Sequence, residues 1–197
     1  MARAVDLDPY LATLRAGGVV ACPTETLVGL LADALDPRAV AEVLRVKGRP
    51  AAATIGLLLP SADHLSQVAP PLDARAAALA ARHWPGPLTV VTWGLPGLPE
   101  AILQDGKVGV RVPGASPAAA LVEAFGGPLT ATSANRTGEP PASTTRELDG
   151  ALREALEQTG GRVLEGDAPG GPPSTVIDVT TWPPRVLRPG ALRVVVT

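Results

Sequence analysis

The sequence is poor in cysteine and aromatic residues and has no long apolar run. The single cysteine, Cys22, excludes a disulfide within the chain and is compatible with a reducing compartment, so we expect the protein in the cytoplasm. No stretch of about 18 consecutive apolar residues occurs, which predicts that no helix crosses a membrane. Residues 1–18 lack the apolar core of an export signal, so no export signal is expected.

The charge balance and the missing motifs exclude several classes of protein. The formal net charge is only −2, which argues against a protein whose main task is to grip nucleic-acid phosphates. The sequence contains neither the Gly-x-Ser-x-Gly elbow of serine hydrolases nor the Gly-x4-Gly-Lys-Ser/Thr run of P-loop proteins. His64 and His83 are interpreted as structural or surface residues. The sequence therefore contains no cysteine and histidine cluster that would predict a bound metal.

Apolar residues, proline and glycine are abundant. The 197 residues are 46% hydrophobic, and 22 prolines and 21 glycines separate periodic segments. Strands are predicted near 19–22, 54–60, 88–93, 107–113, 128–135, 162–165, 174–179 and 185–188; helices are predicted near 9–16, 37–47, 73–83 and 117–125, and from a capping box at 144–147 to about 158. Because helices and strands intermix without a repeat or linker, we expect an α/β (α+β) fold: a single three-layer domain over residues 1–197 with a twisted, mixed sheet flanked by helices.

Two threonines flank a glutamate in VVACPTETLVGL (19–30), directly after a predicted strand. If the strand continues, side chains at i and i+2 point the same way, so Thr24 and Thr26 present two hydroxyls side by side and Glu25 lies on the opposite face. An ordinary polar turn at a strand end explains the same residues. One Thr-x-Thr pair alone does not decide between a ligand site and a turn.

Two further polar pairs follow apolar segments. In KGR (47–49), an extended backbone after the glycine would project Lys47 and Arg49 to a common side. The helix dipole alone explains a lysine in the last helical turn, whereas Arg49 precedes a proline, which favours an extended backbone. Ser133 and Asn135 repeat the i, i+2 pattern, although a Ser or Asx turn is the simpler explanation of that tripeptide.

Cations and hydroxyls also occur on later predicted strands. Arg111 lies inside the apolar VGVRVP (108–113), where a buried cation needs a partner unless its side chain reaches the surface. Arg188 has a similar position, and Ser174 begins a strand after a turn-rich segment. Polar groups that recur at strand ends match the place where open α/β sheets bind ligands. This set of side chains favours phosphate and carboxylate over a metal.

Seven motifs follow one another along the chain: PTETxxGL (23–30), KGRP (47–50), WPGPLT (84–89), VRVP (110–113), SANxxGxP (133–140), STVIDV (174–179) and LRPG (187–190). The ordered set resembles the YrdC family, the threonylcarbamoyl-AMP synthases, over almost the whole chain. Any single motif is unspecific, whereas the ordered set is very specific.

The resemblance implies a YrdC-like fold with a concave ligand cavity and a nucleotidyltransferase activity. Such an enzyme joins L-threonine, bicarbonate and ATP into threonylcarbamoyl-AMP and pyrophosphate, with Mg²⁺ held through the ATP phosphates. A separate transferase complex would take over the threonylcarbamoyl group and place it on the adenosine beside the anticodon of tRNA. Contact of this chain with tRNA would therefore be weak or indirect.

The resemblance also assigns roles to single residues. The ATP-binding candidates are Lys47, Arg49, Ser133, Asn135 and Arg188, and the first two of them are also the catalytic candidates. The threonine-binding candidates are Thr26, Arg111 and Ser174.

The sequence departs from the family pattern in three places. Val28 stands where a tyrosine is frequent, the run Ala51–Ala53 replaces polar residues and a proline, and Leu58 replaces a common histidine. These changes touch the pocket edge and leave a paralogue with altered activity as an alternative. Longer relatives carry a further C-terminal domain, which is not expected here.

Two other classes of function remain open. The first is an RNA-binding module for tRNA or double-stranded RNA on the same basic concave surface; the net charge and the lack of exposed aromatic motifs argue against it. The second is a carbamoyl-transfer domain of the kind found in larger hydrogenase-maturation proteins, which the missing zinc-finger cysteines disfavour.

Overall fold

Five α-helices and nine β-strands form the regular structure of residues 5–48, 55–136 and 138–194, the part of the chain that the computed structural model describes. The helices are α1 (Asp8–Arg15), α2 (Pro37–Lys47), α3 (Ala74–His83), α4 (Pro117–Phe125) and α5 (Gly150–Gln158). The strands are β1 (Val20–Pro23), β2 (Val28–Leu31), β3 (Gly56–Leu58), β4 (Leu88–Trp93), β5 (Lys107–Arg111), β6 (Leu129–Ser133), β7 (Arg162–Val163), β8 (Thr175–Asp178) and β9 (Arg185–Arg188). Short 3₁₀ helices cover Ala62–Gln67, Glu100–Ile102 and Thr145–Glu147.

All these strands join in one twisted sheet with the order β7-β1-β2-β6-β3-β5-β4-β8-β9. The pairs β1–β7, β3–β5 and β4–β8 are parallel, and the other neighbours are antiparallel. The predicted mixed α/β fold with a twisted mixed sheet is therefore confirmed. The strand β2 was not predicted as a separate strand. Its pairing with β1, which brings Pro23 opposite Val28, makes residues 24–27 a hairpin turn.

Helices pack on both faces of the sheet. Helices α2, α3 and α5 cover one face through a large apolar cluster that includes Val43, Leu79 and Leu152. Helices α1 and α4 cover part of the other face through Leu14 and Leu121. This second cluster reaches β1, β2, β3 and β6 but not β4, β5, β8 and β9, so that half of the face stays open. None of the helices in the described part of the chain has the length and apolar character that a membrane crossing requires.

Local signals place two of the helices as predicted. Asp73 caps α3 by accepting hydrogen bonds from the backbone N–H groups of Arg75 and Ala76 at 2.9 and 2.8 Å. Helix α2 ends at Gly48, whose φ of 59° lies in the left-handed region that glycine adopts without strain. This cap leaves Lys47 as the last helical residue.

The helix predicted from the capping box starts later than expected. Thr144 and Glu147 do form the capping box, but the box closes only a 3₁₀ turn of three residues. Leu148 then leaves helical geometry with φ −58° and ψ 128°. A new cap at Asp149, which accepts a hydrogen bond from the Leu152 N–H at 3.1 Å, starts α5.

Candidate active site

A cavity of about 700 Å³ opens on the face of the sheet that α1 and α4 leave uncovered. Strands β2 to β6, β8 and β9 contribute to its walls together with the turn 24–27. Small-molecule sites usually have volumes of roughly 300–1,000 Å³, so the cavity is large enough for a metabolite or a nucleotide.

The centre of the cavity floor consists of small residues. Gly56 on β3 lies between Ala131 on β6 and Gly109 on β5. A Cβ atom at Gly56 would meet the carbonyl oxygens of both neighbours at 3.5 Å. The absence of side chains at these glycines lets a ligand approach the backbone of the sheet closely.

The hairpin turn 24–27 carries two hydroxyls into the cavity wall. Thr24 Oγ1 accepts hydrogen bonds from the N–H groups of Thr26 and Leu27 at 3.1 and 3.2 Å and donates to Leu27 O at 2.7 Å. Thr26 Oγ1 lies 3.1 Å from Thr24 Oγ1. The two backbone N–H groups and Leu27 O already use both lone pairs and the proton of Thr24, whereas Thr26 also lines the cavity.

Arg111 is a buried cation with a buried partner. Its Nη1 donates to Glu25 Oε1 at 2.8 Å, and only 8% of its side chain is exposed. Burial lowers the pKa of Arg111, the Glu25 carboxylate opposes this effect, and the cation of Arg188 lowers the pKa further. The guanidinium stays charged. Two cations therefore act on one region of the cavity.

Arg188 is oriented by the backbone and hydroxyl of Ser174. Its Nε and Nη2 donate to Ser174 O at 3.2 and 2.9 Å, and Nη2 also donates to Ser174 Oγ at 3.1 Å. The Ser174 hydroxyl lies 2.9 Å from the Thr89 hydroxyl on β4. Partial burial lowers the pKa of Arg188. These contacts orient the Arg188 guanidinium at the cavity rim.

Lys47 binds the turn that follows β6. Its Nζ donates to Ser133 O, to Asn135 O at 2.9 Å and to Asn135 Oδ1 at 3.4 Å. The Ser133 hydroxyl donates to Asn135 Oδ1, and the Asn135 amide donates to Glu139 O at 2.6 Å. Lys47 is only 1% exposed. The ammonium group of Lys47 therefore contacts the turn that carries the Ser133 and Asn135 side chains.

A second ion pair lies on β5 and β8 at the cavity wall. Lys107 Nζ donates to Asp178 Oδ2 at 2.8 Å and lies 5.3 Å from the centre of the Trp93 ring. Burial acts to raise the pKa of Asp178, but hydrogen bonds from Lys107 and Thr180 outweigh it and hold the pKa below its usual value. Among the residues described, no group of three or more His, Cys, Asp or Glu side chains is arranged to hold a metal ion.

The structure places most of the predicted site residues together. Those that line the cavity are Thr26, Arg111, Ser133, Ser174 and Arg188. Asn135 lies in the turn after Ser133, and Lys47 donates to that turn from the end of α2. Arg49 and the run Ala51–Ala53 lie outside the described residues. Val28 and Leu58 both line the cavity, so two of the departures from the family pattern change its wall.

Sequence reasoning missed several polar residues at the site, among them Glu25, Thr89, Lys107 and Asp178. Glu25 was expected on the face opposite the threonines, whereas the turn brings its carboxylate to Arg111. The need for a partner at Arg111 was foreseen, but the sequence does not indicate which carboxylate supplies it. Lys107 and Asp178 carry a usable signal, since each is a charge at the end of an apolar strand.

The fold and the cavity define an α/β protein with a cavity lined by cations and hydroxyls on the open face of a mixed sheet. The family model Sua5_yciO_yrdC, described as "Telomere recombination", matches residues 12–190. The chain belongs to this Sua5/YciO/YrdC family.

Several relatives share most of the chain. The threonylcarbamoyl-AMP synthase of Stenotrophomonas maltophilia is 42% identical over 83% of this chain and 88% of its own length. The threonylcarbamoyl-AMP synthase of Pyrococcus abyssi is 38% identical over 91% of this chain, which spans only 52% of that protein.

Solved structures agree with these relatives. The crystal structure of P. abyssi Sua5 complexed with L-threonine is 37% identical, has a TM-score of 0.83, and is matched over 93% of this chain and 53% of that one. Escherichia coli YciO is 29% identical, with a TM-score of 0.79 over 94% of this chain and 89% of that one.

Proposed function

We propose that this protein is an L-threonylcarbamoyl-AMP synthase, which converts L-threonine, bicarbonate and ATP into threonylcarbamoyl-AMP and pyrophosphate. The observation that carries the proposal is the pair of guanidinium groups, Arg111 and Arg188, that act on one region of a cavity lined with hydroxyls. Synthases of this name that are 35–46% identical to the chain support it.

In this proposal the amino acid binds at Arg111. The guanidinium would hold the threonine carboxylate, since arginine presents a planar fork that matches a carboxylate. The hydroxyls of Thr26 and Ser174 would meet the threonine side chain. Both line the same cavity as Arg111.

ATP would bind across Arg188 and the turn after β6. We assign to it Arg188, Ser133 and Asn135, with Lys47 and Arg49 as cations for the phosphates. Arg188 donates to Ser174, so a residue proposed for ATP touches a residue proposed for threonine. The reaction requires such contact, because the carbamate of threonine must meet the α-phosphate.

Catalysis would consist mainly of positioning and charge stabilisation. The carbamate oxygen attacks the α-phosphate, pyrophosphate leaves, and negative charge grows on the phosphoryl oxygens. Cations aimed at those oxygens stabilise the transition state. Mg²⁺ would enter with the ATP phosphates and neutralise part of their charge; the cavity carboxylate Asp178 is already bound to Lys107.

The product would be passed on in the cytoplasm. A threonylcarbamoyl-adenylate is an activated mixed anhydride, so a transferase complex must consume it by moving the threonylcarbamoyl group to the adenosine beside the tRNA anticodon. We propose a transient hand-over to such a complex and only weak or indirect contact of this chain with tRNA.

The test is pyrophosphate release from ATP with threonine, bicarbonate and Mg²⁺ each omitted in turn. We expect release to require all three, and mass spectrometry to detect threonylcarbamoyl-AMP in the complete mixture only. The variant Arg111→Ala should abolish release, whereas Arg185→Ala on the exposed face of β9 should not. Equal release without threonine would indicate a nucleotidase and overturn the proposal.

A further inference from the structure

The carboxylate of Glu25 has one oxygen in use and one without a partner. Oε1 accepts from Arg111 Nη1 at 2.8 Å, and the exposed fraction of the Glu25 side chain is 10%. Oε2 is buried and has no hydrogen-bond partner among the residues described. An unpaired buried carboxylate oxygen is costly. We therefore looked for a donor that a bound substrate would bring.

The local structure holds Glu25 at this position. The Thr24 hydroxyl closes the turn on both sides of Glu25 through its bonds to Thr26 and Leu27. Gly114, after β5, leaves room for the side chain, since a Cβ atom there would lie 3.3 Å from Glu25 Cγ. The carboxylate is thus fixed beside Arg111 by turn geometry and close packing.

An α-amino acid supplies the missing donor. Its ammonium and carboxylate groups are attached to the same carbon atom, so a substrate whose carboxylate is held by Arg111 carries its ammonium group close to Glu25. An ammonium group donates up to three hydrogen bonds, and a carboxylate accepts them. This arrangement gives both ends of the zwitterion a partner of opposite charge.

Other charged groups near the cavity do not offer the same acceptor. Besides Arg111, the charged side chains of the described residues that line the cavity are Asp105, Lys107, Asp178 and Arg188. Asp105 is exposed to solvent, and Arg111 forms its ion pair with Glu25. Asp178 is engaged by Lys107 at 2.8 Å and by the Thr180 hydroxyl at 2.6 Å. Glu25 is the carboxylate that contacts Arg111 directly and keeps a buried oxygen without a hydrogen-bond partner.

We infer that Glu25 is a catalytic residue of the proposed synthase: its Oε2 accepts a proton from the α-ammonium group of threonine, so that the amine can attack carbon dioxide. The inference rests on the proposed function. An ammonium nitrogen has no free electron pair, so carbamate formation requires this deprotonation.

The proton and electron balance of this step is closed. An N–H bond of the ammonium breaks and an O–H bond forms on Glu25, which passes the proton to bicarbonate; its C–O bond breaks and gives water and carbon dioxide. The freed electron pair on nitrogen forms the N–C bond, and a second N–H bond then breaks and releases its proton to solvent. One ammonium and one bicarbonate thus yield one carbamate, one water and one proton.

The test compares Glu25→Gln with the wild type between pH 6.5 and 9.5. Glutamine keeps an oxygen for Arg111 but cannot take up the proton. We expect kcat for threonine-dependent pyrophosphate release to fall about 100-fold or more at neutral pH, and to rise up to about tenfold per pH unit as the free amine of threonine becomes available. The wild type should show a flatter profile.

A matched control is Glu42→Gln, which removes a carboxylate paired with an arginine at 2.7 Å on the surface of α2 and should behave like the wild type. An unchanged pH profile with a higher KM for threonine would overturn the inference and leave Glu25 as a residue that only orients Arg111. If Glu25→Gln does not fold, Glu25→Asp decides: a lower kcat with a wild-type profile supports the inference, and a change confined to KM overturns it. A wild type without threonine-dependent release would instead refute the proposed function.

Discussion

The Nζ atom of Lys47 lies 2.9 Å from the backbone carbonyl oxygen of Asn135 and also donates to the carbonyl of Ser133. The end of α2 thereby holds the turn that carries the polar side chains after β6. The resemblance to the family assigns Lys47 to ATP, and this contact gives the lysine a second task. Any change at Lys47 is expected to act on the turn as well as on the phosphates.

Replacement Lys47→Met should lower both stability and ATP affinity. The methionine fills similar space but removes the lysine donor from the Asn135 carbonyl, at a cost of about 1–3 kcal/mol for an acceptor left unpaired, whereas the Ser133 carbonyl keeps the Asn135 N–H as a donor at 3.0 Å. Denaturant unfolding and the KM for ATP measure the two effects. The control Arg45→Met, on the exposed side of α2, should change stability by less than about 1 kcal/mol. Normal stability with lost ATP binding would show that Lys47 acts on the nucleotide alone.

Replacement Arg49→Ala should reduce turnover far more than stability. A cation aimed at the transferring phosphate stabilises charge mainly in the transition state, and losing such a group costs on the order of a hundredfold or more in kcat. Steady-state kinetics and a melting curve separate the two quantities. Arg38→Ala, at a side chain that is 90% exposed, is the control and should leave both unchanged. Normal turnover with a lower melting temperature would make Arg49 structural.

Replacement Arg111→Lys should weaken threonine binding although the charge is kept. A lysine is a point charge, so it loses the two-pronged geometry that holds one carboxylate while another group of the guanidinium binds Glu25. We expect the KM for threonine to rise roughly 10- to 100-fold and the KM for ATP to change little. The exposed Arg185→Lys serves as the comparison. Equal losses for both substrates would indicate collapse of the cavity.

The ends of helices were predicted correctly where a single residue determines the local backbone geometry. Asp73 and Gly48 mark a helix start and a helix end because a side-chain cap and a left-handed φ act within a few residues. Thr24 and Thr26 were correctly expected to lie side by side, at 3.1 Å, but they do so in a turn and not on a strand. The backbone of residues 24–27 is the polar turn that was the alternative to a continued strand, because the Thr24 hydroxyl closes the turn on Leu27.

The charge pairs of the site were not predictable from the sequence. Glu25 and Arg111 are separated by 86 residues and meet only because the β1–β2 turn reaches the strand β5. Lys107 and Asp178 are separated by 71 residues and meet through the order β5-β4-β8 in the sheet. Which residues pair across such a long sequence separation depends on the order of the strands in the sheet, and local sequence patterns do not determine that order.

Cys22 is expected to be unreactive in the folded protein. Burial raises the pKa of its thiol to about 12 from an ordinary value of 9.0, so the thiolate that reacts with alkylating agents is absent at neutral pH. A raised pKa in the folded state also means that stability is fully present below pH 9 and falls as the pH rises towards 12. The loss is about 1.4 kcal/mol per pH unit, because only the unfolded thiol ionises there. Cys22→Ala should remove this dependence of the free energy of unfolding on pH between pH 9 and 11. Rapid alkylation of Cys22 in the native wild type would contradict the raised pKa.

Selection of the amino acid should follow the hydroxyls of the cavity. If Thr26 and Ser174 meet the side chain of the substrate, its hydroxyl has polar partners, whereas its methyl group packs on an apolar wall. Serine lacks only the methyl, which is typically worth about 1–3 kcal/mol, or roughly 10- to 200-fold in kcat/KM. Valine keeps the shape but leaves buried polar groups unpaired, and a site built on that hydrogen bond rejects such an analogue by roughly 10⁴-fold or more. Pyrophosphate release with threonine, serine and valine gives the three values of kcat/KM. Valine that turns over as well as serine would show that the hydroxyl is not recognised, and Thr26 and Ser174 would then have no part in selecting the substrate.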